Sequence, residues 1–432
     1  MNNVMTWTMA VLSAGSLFAV PVVQTDSVSM TQDASRKVTI RYRLTGEPGI
    51  VTIDIQTNGV NGSATEWASV GGKNLTHMFG DVNRLNRNVL SESVAYWQPD
   101  KAWRNGGEIA DGGVRAVVTA WATNAPPDYM VVNLQIKNDY AFYADAESIP
   151  GGVQDRRYKT TQMIFRKVPA AGVVWRMGSP TTEANRCKGD DWSVFEPARL
   201  VKISADYYLG IYEVTAGQWD TACRASANTW VRTQPTRTYE GPDAEVCPLA
   251  GATYWCYRGN IGAQYRWPDQ GYTIPNQYGL DSFRDATGLL IDFPTSAEWE
   301  YACRAGSGAR FCYGEDASAA RLGDYAWYSA NSSNTVHEVG LKKPNAWGFY
   351  DMHGNIAEWL REPAYYPNKE NPETPVTDPT IPVGQTDTST FSAGGTYAEG
   401  DGYLRSAARL FTNDRGSAYI GGRLWAAAVI TY

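Results

Sequence analysis

No run of lysine or arginine occurs anywhere in this 432-residue chain, and charged residues make up only 19% of it. With a net charge of −7, that excludes a nucleic-acid partner, because phosphate binding needs concentrated cationic side chains. No CxxC pair occurs among the six cysteines, Cys187, Cys223, Cys247, Cys256, Cys303 and Cys312, which argues against a zinc site of the common spacing. Beyond the N-terminus no apolar run is long enough to cross a bilayer, so no transmembrane span is expected in the mature chain. What the chain has in abundance is aromatic surface, with 16 Trp and 26 Tyr in a composition that is 43% hydrophobic. That is a globular composition, and the length predicts two domains.

The N-terminal stretch "MTWTMAVLSAGSLFAVPVV" suits a signal-peptide core better than a membrane span, although "MNN" before it carries no positive charge. Residues 1–24 are therefore expected to be a leader and the protein to be exported, extracellular or on the cell surface. An even number of cysteines fits one or two disulfides in that setting. A plain packing role fits as well, since Cys223 and Cys303 each follow a tryptophan by four residues. "VTIRYRL" and "GIVTIDIQTNG" alternate apolar and polar residues around "GEPG", which predicts a hairpin. "GGVRAVVTAWATN" and "DYMVVNLQIKN", divided by "APPD", extend the pattern. Residues 25–137 thus read as a small immunoglobulin-like β-sandwich, with 138–161 as a connector. From 162 to 432 the chain changes character. Two helices are expected at "EVTAGQWDTACR" and "FPTSAEWEYACRAG", each opened by a capping box (Thr215/Gln218 and Thr295/Glu298). Gly-, Pro- and Trp-rich loops fill the remainder.

"RMGSP", "YYLGIYEVTAGQW", "FPTSAEWEYACRAG", "KPNAWGFYDMHGNIAEW", "GGTY", "LRSAAR" and "IGGRL" occur in this order. In that order and wording the region resembles formylglycine-generating-enzyme-like domains, the sulfatase-modifying-factor family. The resemblance implies an α+β, C-type-lectin-like fold for 162–432. It also implies what an enzyme of the family would carry: a cysteine pair, between the "GGS" and "RxAAR" motifs, that binds copper and activates oxygen. Here that interval is "TYAEGDGYL", without cysteine, and a thiolate has no substitute among these side chains as soft-metal ligand and redox partner. Sulfoxide-synthase relatives need a histidine cluster for iron, whereas this chain has only His77, His337 and His353. No copper or iron, and no catalytic residues, are expected. The resemblance does imply a structural Ca²⁺ at Asp351, Gly354, Ile356 and Glu358, whose hard oxygen ligands suit that ion. A second calcium loop would begin at Asn331 and Ser332, but the segment that should complete it is shortened.

Residues 394–424 then read as recognition loops between structural frames. Tyr as a stiff amphipathic contact, Ser, Gly and Asn as adaptable polar groups and Arg as anchor make a composition like that of an antibody paratope. Thr396, Tyr397, Glu399, Asp401, Tyr403, Phe411, Asn413, Asp414, Arg415, Ser417 and Tyr419 are the expected ligand-binding residues. The pattern also resembles variable proteins of diversity-generating retroelements, in which adenine-directed mutagenesis turns AAC codons into NNC. Apart from Glu399, every residue of "TYAEGDGYL" and "LFTNDRGSAY" lies in the set that NNC encodes. The leading expectation is a non-catalytic exported binding protein with a protein or glycan ligand on another surface. The alternatives are an oxygen-dependent modifying enzyme of the formylglycine-generating type and a structural component of the cell envelope.

Overall fold

A computed structural model describes residues 20–58, 66–103, 112–186, 196–226, 241–259, 277–363, 372–379, 389–413 and 419–428, together with 235 and 239. The first unit is built from two antiparallel sheets. One centres on β1 (Val38–Thr45), the other on β2 (Gly49–Thr57). β1 alternates strictly: Val38, Ile40, Tyr42 and Leu44 point into the core while Arg41 and Arg43 face outward, the period of two that a one-sided strand requires. β1 pairs with β3 (Glu92–Trp97), and β2 pairs with β4 (Val114–Trp121) along eight residues. Their inward faces meet in one core of Val38, Ile40, Tyr42, Leu44, Val51, Ile53, Ile55 and Trp97.

Two expectations change here. β1 and β2 do not form a hairpin, because "GEPG" carries the chain from one sheet to the other. The strand in "DYMVVNLQIKN", β5 (Tyr129–Asn133), pairs with β6 (Tyr140–Tyr143) and β7 (Gln162–Val168) instead of with the sandwich. The alternation that marked it as a strand does not say which sheet it joins. "APPD" therefore precedes the second unit, and the stretch expected to be a connector contributes β6. Most of the expected leader, residues 1–19, lies outside the described residues; its end, Val22–Val23, pairs with Leu44 and Thr45 of β1. Among the described residues no helix is long and apolar enough to cross a membrane.

The second unit is organised around a six-stranded sheet in the order β6-β5-β7-β8-β14-β9, where β8 is Tyr207–Gly210, β9 Ile291–Asp292 and β14 Trp425–Ala427. Both predicted helices form. α1 (Ala216–Ala225) and α3 (Ser296–Arg304) each open with both hydrogen bonds of the capping box, so two orphan N–H groups at each N-terminus are satisfied reciprocally. α2 (Gly279–Thr287) was not anticipated. Trp219 of α1, Tyr257, Phe283 of α2 and Phe293 meet edge to face in the core between these elements and the sheet.

A second, four-stranded sheet carries the C-terminal motifs: β12 (Arg409–Asn413), β11 (Ser389–Ala393), β10 (Ala357–Pro363) and β13 (Ile420–Gly421), in that order. β11 pairs antiparallel with both neighbours, and β13 runs parallel to β10 at Ala357 and Glu358. Residues 394–404 leave β11 at its C-terminal end, and Tyr419 precedes β13.

Candidate functional site

The frames around residues 394–424 are held by buried ion pairs. Arg405 is fully buried and donates to both carboxylate oxygens of Glu196 (2.7 Å each), to Glu183 (2.6 Å) and to the carbonyl of Gly402 (2.8 Å). Arg409 donates to Glu300 (2.8 Å) and to the Ser406 and Ala408 carbonyls. Glu300 also accepts from Arg304 and from the Gly178 N–H. Arg423 spans both oxygens of Glu358 at 2.7–3.0 Å and donates to the Gly210 and Tyr350 carbonyls. The RSAAR arginines thus tie loop carbonyls down, as their sequence context suggested, and each also neutralises a buried glutamate. Ser406, Ala407 and Ala408 between them are buried. Gly395 sits at φ 72°, where a Cβ would come within 2.8 Å of the Tyr403 carbonyl oxygen. A side chain there would push the end of the loop outward.

Within that frame the first recognition segment folds on itself. Thr396 and Tyr397 are buried, and Ser332 donates to the Tyr397 carbonyl at 2.7 Å. Glu399 accepts the Thr396 N–H at 2.9 Å, and burial raises its carboxyl above the usual range. Asp401 accepts from Arg310 and from Asn185 (2.8 Å). Partial burial would raise the Asp401 carboxyl, but these hydrogen bonds override that and hold it low. Thr396, Glu399 and Asp401 thus use side-chain oxygens to shape the loop, and Tyr397 is buried beside them. Tyr403 and Tyr419 differ. They are 43% and 38% exposed, and Tyr419 packs edge-on against Tyr397 at 5.3 Å. Phe411 and Asn413 lie on β12, and their side chains are outside what is described. Asp414, Arg415 and Ser417 lie outside the described residues altogether. The partners Asn185, Arg310, Glu183 and Glu196 were missed in sequence, since nothing local links them to residues some 90–220 positions later.

The residues of the expected calcium set lie close together in the interior. Glu358 has both oxygens on the Arg423 guanidinium, and one of them also accepts from Trp299 Nε1 at 2.6 Å. Its charge is thus balanced by Arg423 in this structure. The Ile356 N–H is bonded to Glu213 and the Gly354 N–H to the Gly394 carbonyl. Asp351 is fully buried, accepts the Gly340 N–H at 2.7 Å through one oxygen and leaves the other without a partner. Burial pushes its carboxyl up to about 6. Glu213 is also held well above the usual range, by burial first and then by Asp351 and Glu358. Three buried carboxylates share one guanidinium here, a structural centre. At the second expected loop, Asn331 closes a turn on Tyr328 and Ala326, and Ser332 is bonded to Tyr397.

Four of the described cysteines, Cys247, Cys256, Cys303 and Cys312, are free thiols, which favours packing for these four and leaves no disulfide among them; Cys187 lies outside the described residues. Cys303 and Cys312 flank the imidazole of His353. The Cys303 sulfur lies 3.9 Å from Nε2, which accepts the Cys312 N–H at 3.2 Å, while Nδ1–H donates to the Leu404 carbonyl at 2.6 Å. Burial lowers His353 to about 4 and raises both thiols, that of Cys312 to about 12. A neutral imidazole beside protonated thiols is the reverse of an activated pair. Alkylating the denatured, unreduced protein is expected to label at least these four cysteines, as intact mass will show. Fewer than four labels before reduction would contradict the free-thiol arrangement.

Known proteins were compared with this chain. It is 32% identical over 210 residues to the formylglycine-generating enzyme of Streptomyces coelicolor, covering 42% of this chain and 64% of that one. It is 28% identical over 193 residues to chaperone protein LppX of Paenibacillus barcinonensis, covering 39% and 66%. The chain thus spans just under two-thirds of the length of each of these relatives. Among solved structures, Treponema denticola variable protein 1 matches with 21% identity and a TM-score of 0.42, covering 62% of this chain and 95% of that one. PvdO from Pseudomonas aeruginosa matches with 22% identity and a TM-score of 0.45, covering 61% and 94%. The family model described as sulfatase-modifying factor enzyme 1-like matches residues 165–428, well over half of the chain and the whole of the region that the sequence motifs span, so the chain belongs to the sulfatase-modifying-factor family and its C-terminal unit is of the α+β, C-type-lectin-like class.

Proposed function

We propose that the protein is a non-catalytic, exported binding protein whose C-terminal loops contact a protein or glycan on another surface. The observation that carries this reading is the division of labour in residues 394–424. Arg405, Arg409 and Arg423 anchor the frames in the interior, while Tyr403 and Tyr419 keep large aromatic side chains partly exposed at the surface. Exposed tyrosines on a rigid base give large contact area at low conformational cost. The segment between the Gly-Gly and RSAAR frames contains no thiol, so the family's copper chemistry has no ligands there. The NNC-compatible composition adds that these loops are diversified by a retroelement. Neighbouring DNA tests that point: a near-copy of the region for 394–424, differing only at adenines and beside a reverse transcriptase, supports it.

The binding test uses an array of purified glycans and purified envelope proteins. A saturable signal is expected, and the Y403A/Y419A variant should weaken it by about tenfold or more without lowering the melting temperature. Undiminished binding by that variant overturns the proposal. The enzyme alternative keeps one support, the 32% identity to a formylglycine-generating enzyme. Oxygen consumption with a cysteine-containing peptide and copper would favour that alternative over the binding role.

A further inference from the structure

Beside the C-terminal loops lies a second feature, a ring ladder that is packed at one end and carries an exposed cation at the other. Phe311, Tyr313 and Tyr325 form a ladder of near-parallel rings, with centroids 5.2 Å apart at 6° and then 4.4 Å apart at 18°. The guanidinium of Arg321 lies 5.1 Å from the Tyr313 ring centre and 6.0 Å from that of Tyr325, with Nη2 3.5 Å from the Tyr325 hydroxyl. Arg321 is exposed, and among the described residues it forms no ion pair. The nearby carboxylates are otherwise engaged. Asp316 accepts the backbone N–H groups of Ala320 (3.1 Å) and Arg321 (2.9 Å), and Asp324 pairs with Lys343 at 2.8 Å. An exposed arginine ordinarily samples many rotamers. One stacked on tyrosines has already lost that freedom, and apart from the long Nη2 contact with the Tyr325 hydroxyl its N–H groups point to no acceptor among the described residues, leaving them for a planar two-oxygen acceptor.

The ladder is joined to the loop face. Phe311, Leu322 and Ala326 share a core with Leu404, the neighbour of exposed Tyr403. Arg310 bonds Asp401 through its side chain, and its carbonyl accepts the Ser406 N–H at 2.9 Å. The Ser329 N–H donates to the Glu399 carbonyl at 3.0 Å. Resting on the recognition role proposed for the loops, we infer that Arg321, racked on Tyr313 and Tyr325, is a fixed anchor for an acidic side chain of a protein partner. Loop tyrosines supply adaptable contact area, and Arg321 supplies a charged point that does not depend on what the loops carry.

The test is to pan a phage-displayed library of random peptides on the full chain. Enriched peptides should be rich in Asp or Glu, and a synthetic copy of the best should bind R321Q about tenfold more weakly than wild type, the loss of one charge-assisted contact. R321K, which keeps the charge without the fork, should fall between. Arg321 is exposed, so an unchanged melting temperature separates this loss from unfolding. Enrichment without acidic residues, or equal affinity for R321Q, overturns the anchor while leaving the loop-recognition role intact. No enrichment over the naive library overturns both. Capture of acidic glycans on an array, sensitive to R321Q, with no acidic peptide selected, overturns the protein partner.

Discussion

Replacing Arg423 with alanine is expected to destabilise the protein by about 3–5 kcal/mol, the cost of leaving a buried charge uncompensated. Glu358 is wholly buried and relies on Arg423 for both oxygens, with only the Trp299 N–H left after the change. Asp351 and Glu213 would lose the same guanidinium, which now works against their burial. The Gly210 and Tyr350 carbonyls would lose their donor too, loosening β8 from the segment between β13 and β14. The double variant R423M/E358Q should lose less than R423A, because it buries no unpaired charge. Denaturant unfolding of both variants measures this. A loss below about 1 kcal/mol for R423A, the range of an exposed pair, would show that the centre is wetter and looser than described.

Asp351 makes the opposite prediction. Burial raises its carboxyl from the ordinary 3.8 to about 6, so the folded state holds a proton that the unfolded chain releases between those values. Stability from this group is therefore present at low pH and is lost as pH rises through about 6. Asp351→Asn removes that penalty and keeps an acceptor for the Gly340 N–H. Its backbone, at φ 55°, is one that Asn adopts readily. D351N is expected to be more stable than wild type by about 1–3 kcal/mol above pH 7, with the gap closing toward pH 4. Unfolding followed across pH checks this. Calcium at this site would reverse the outcome, since D351N would then be the less stable protein and Ca²⁺ would protect only wild type.

The helices were legible because their signals are local. Thr215 with Gln218 and Thr295 with Glu298 are capping boxes within four residues of sequence, and both form. The six-stranded sheet was not legible, because alternation in Tyr129–Asn133 fixes a strand but not its partner; pairing with Gln162–Val168 depends on contacts some thirty residues away. α2 was missed because its N-terminus, at Tyr278, has no side-chain cap to announce it. For the site, the frames were readable as motifs, and their chemistry was readable only in part. RSAAR suggested carbonyl bonds, yet the glutamates that neutralise each arginine come from distant segments. The setting of the expected calcium residues was hidden for the same reason. Asp351 and Glu358 have the spacing of ligands, but the arginine that takes Glu358 enters 65 residues later. Thr396 and Glu399 looked like loop contacts because short polar segments are written the same way whether they face a partner or close a turn.

Single-substitution scanning of residues 394–424, read out as protease resistance, tests most directly whether the fold rests on the frames and does not depend on Tyr403 and Tyr419. Substitutions at Gly395, Arg405, Ala407, Ala408, Arg409 and Arg423 should abolish resistance, whereas nearly any residue should be tolerated at Tyr403 and Tyr419. If Tyr403 and Tyr419 prove as intolerant as Arg405, they belong to the interior and the contact surface described here does not exist.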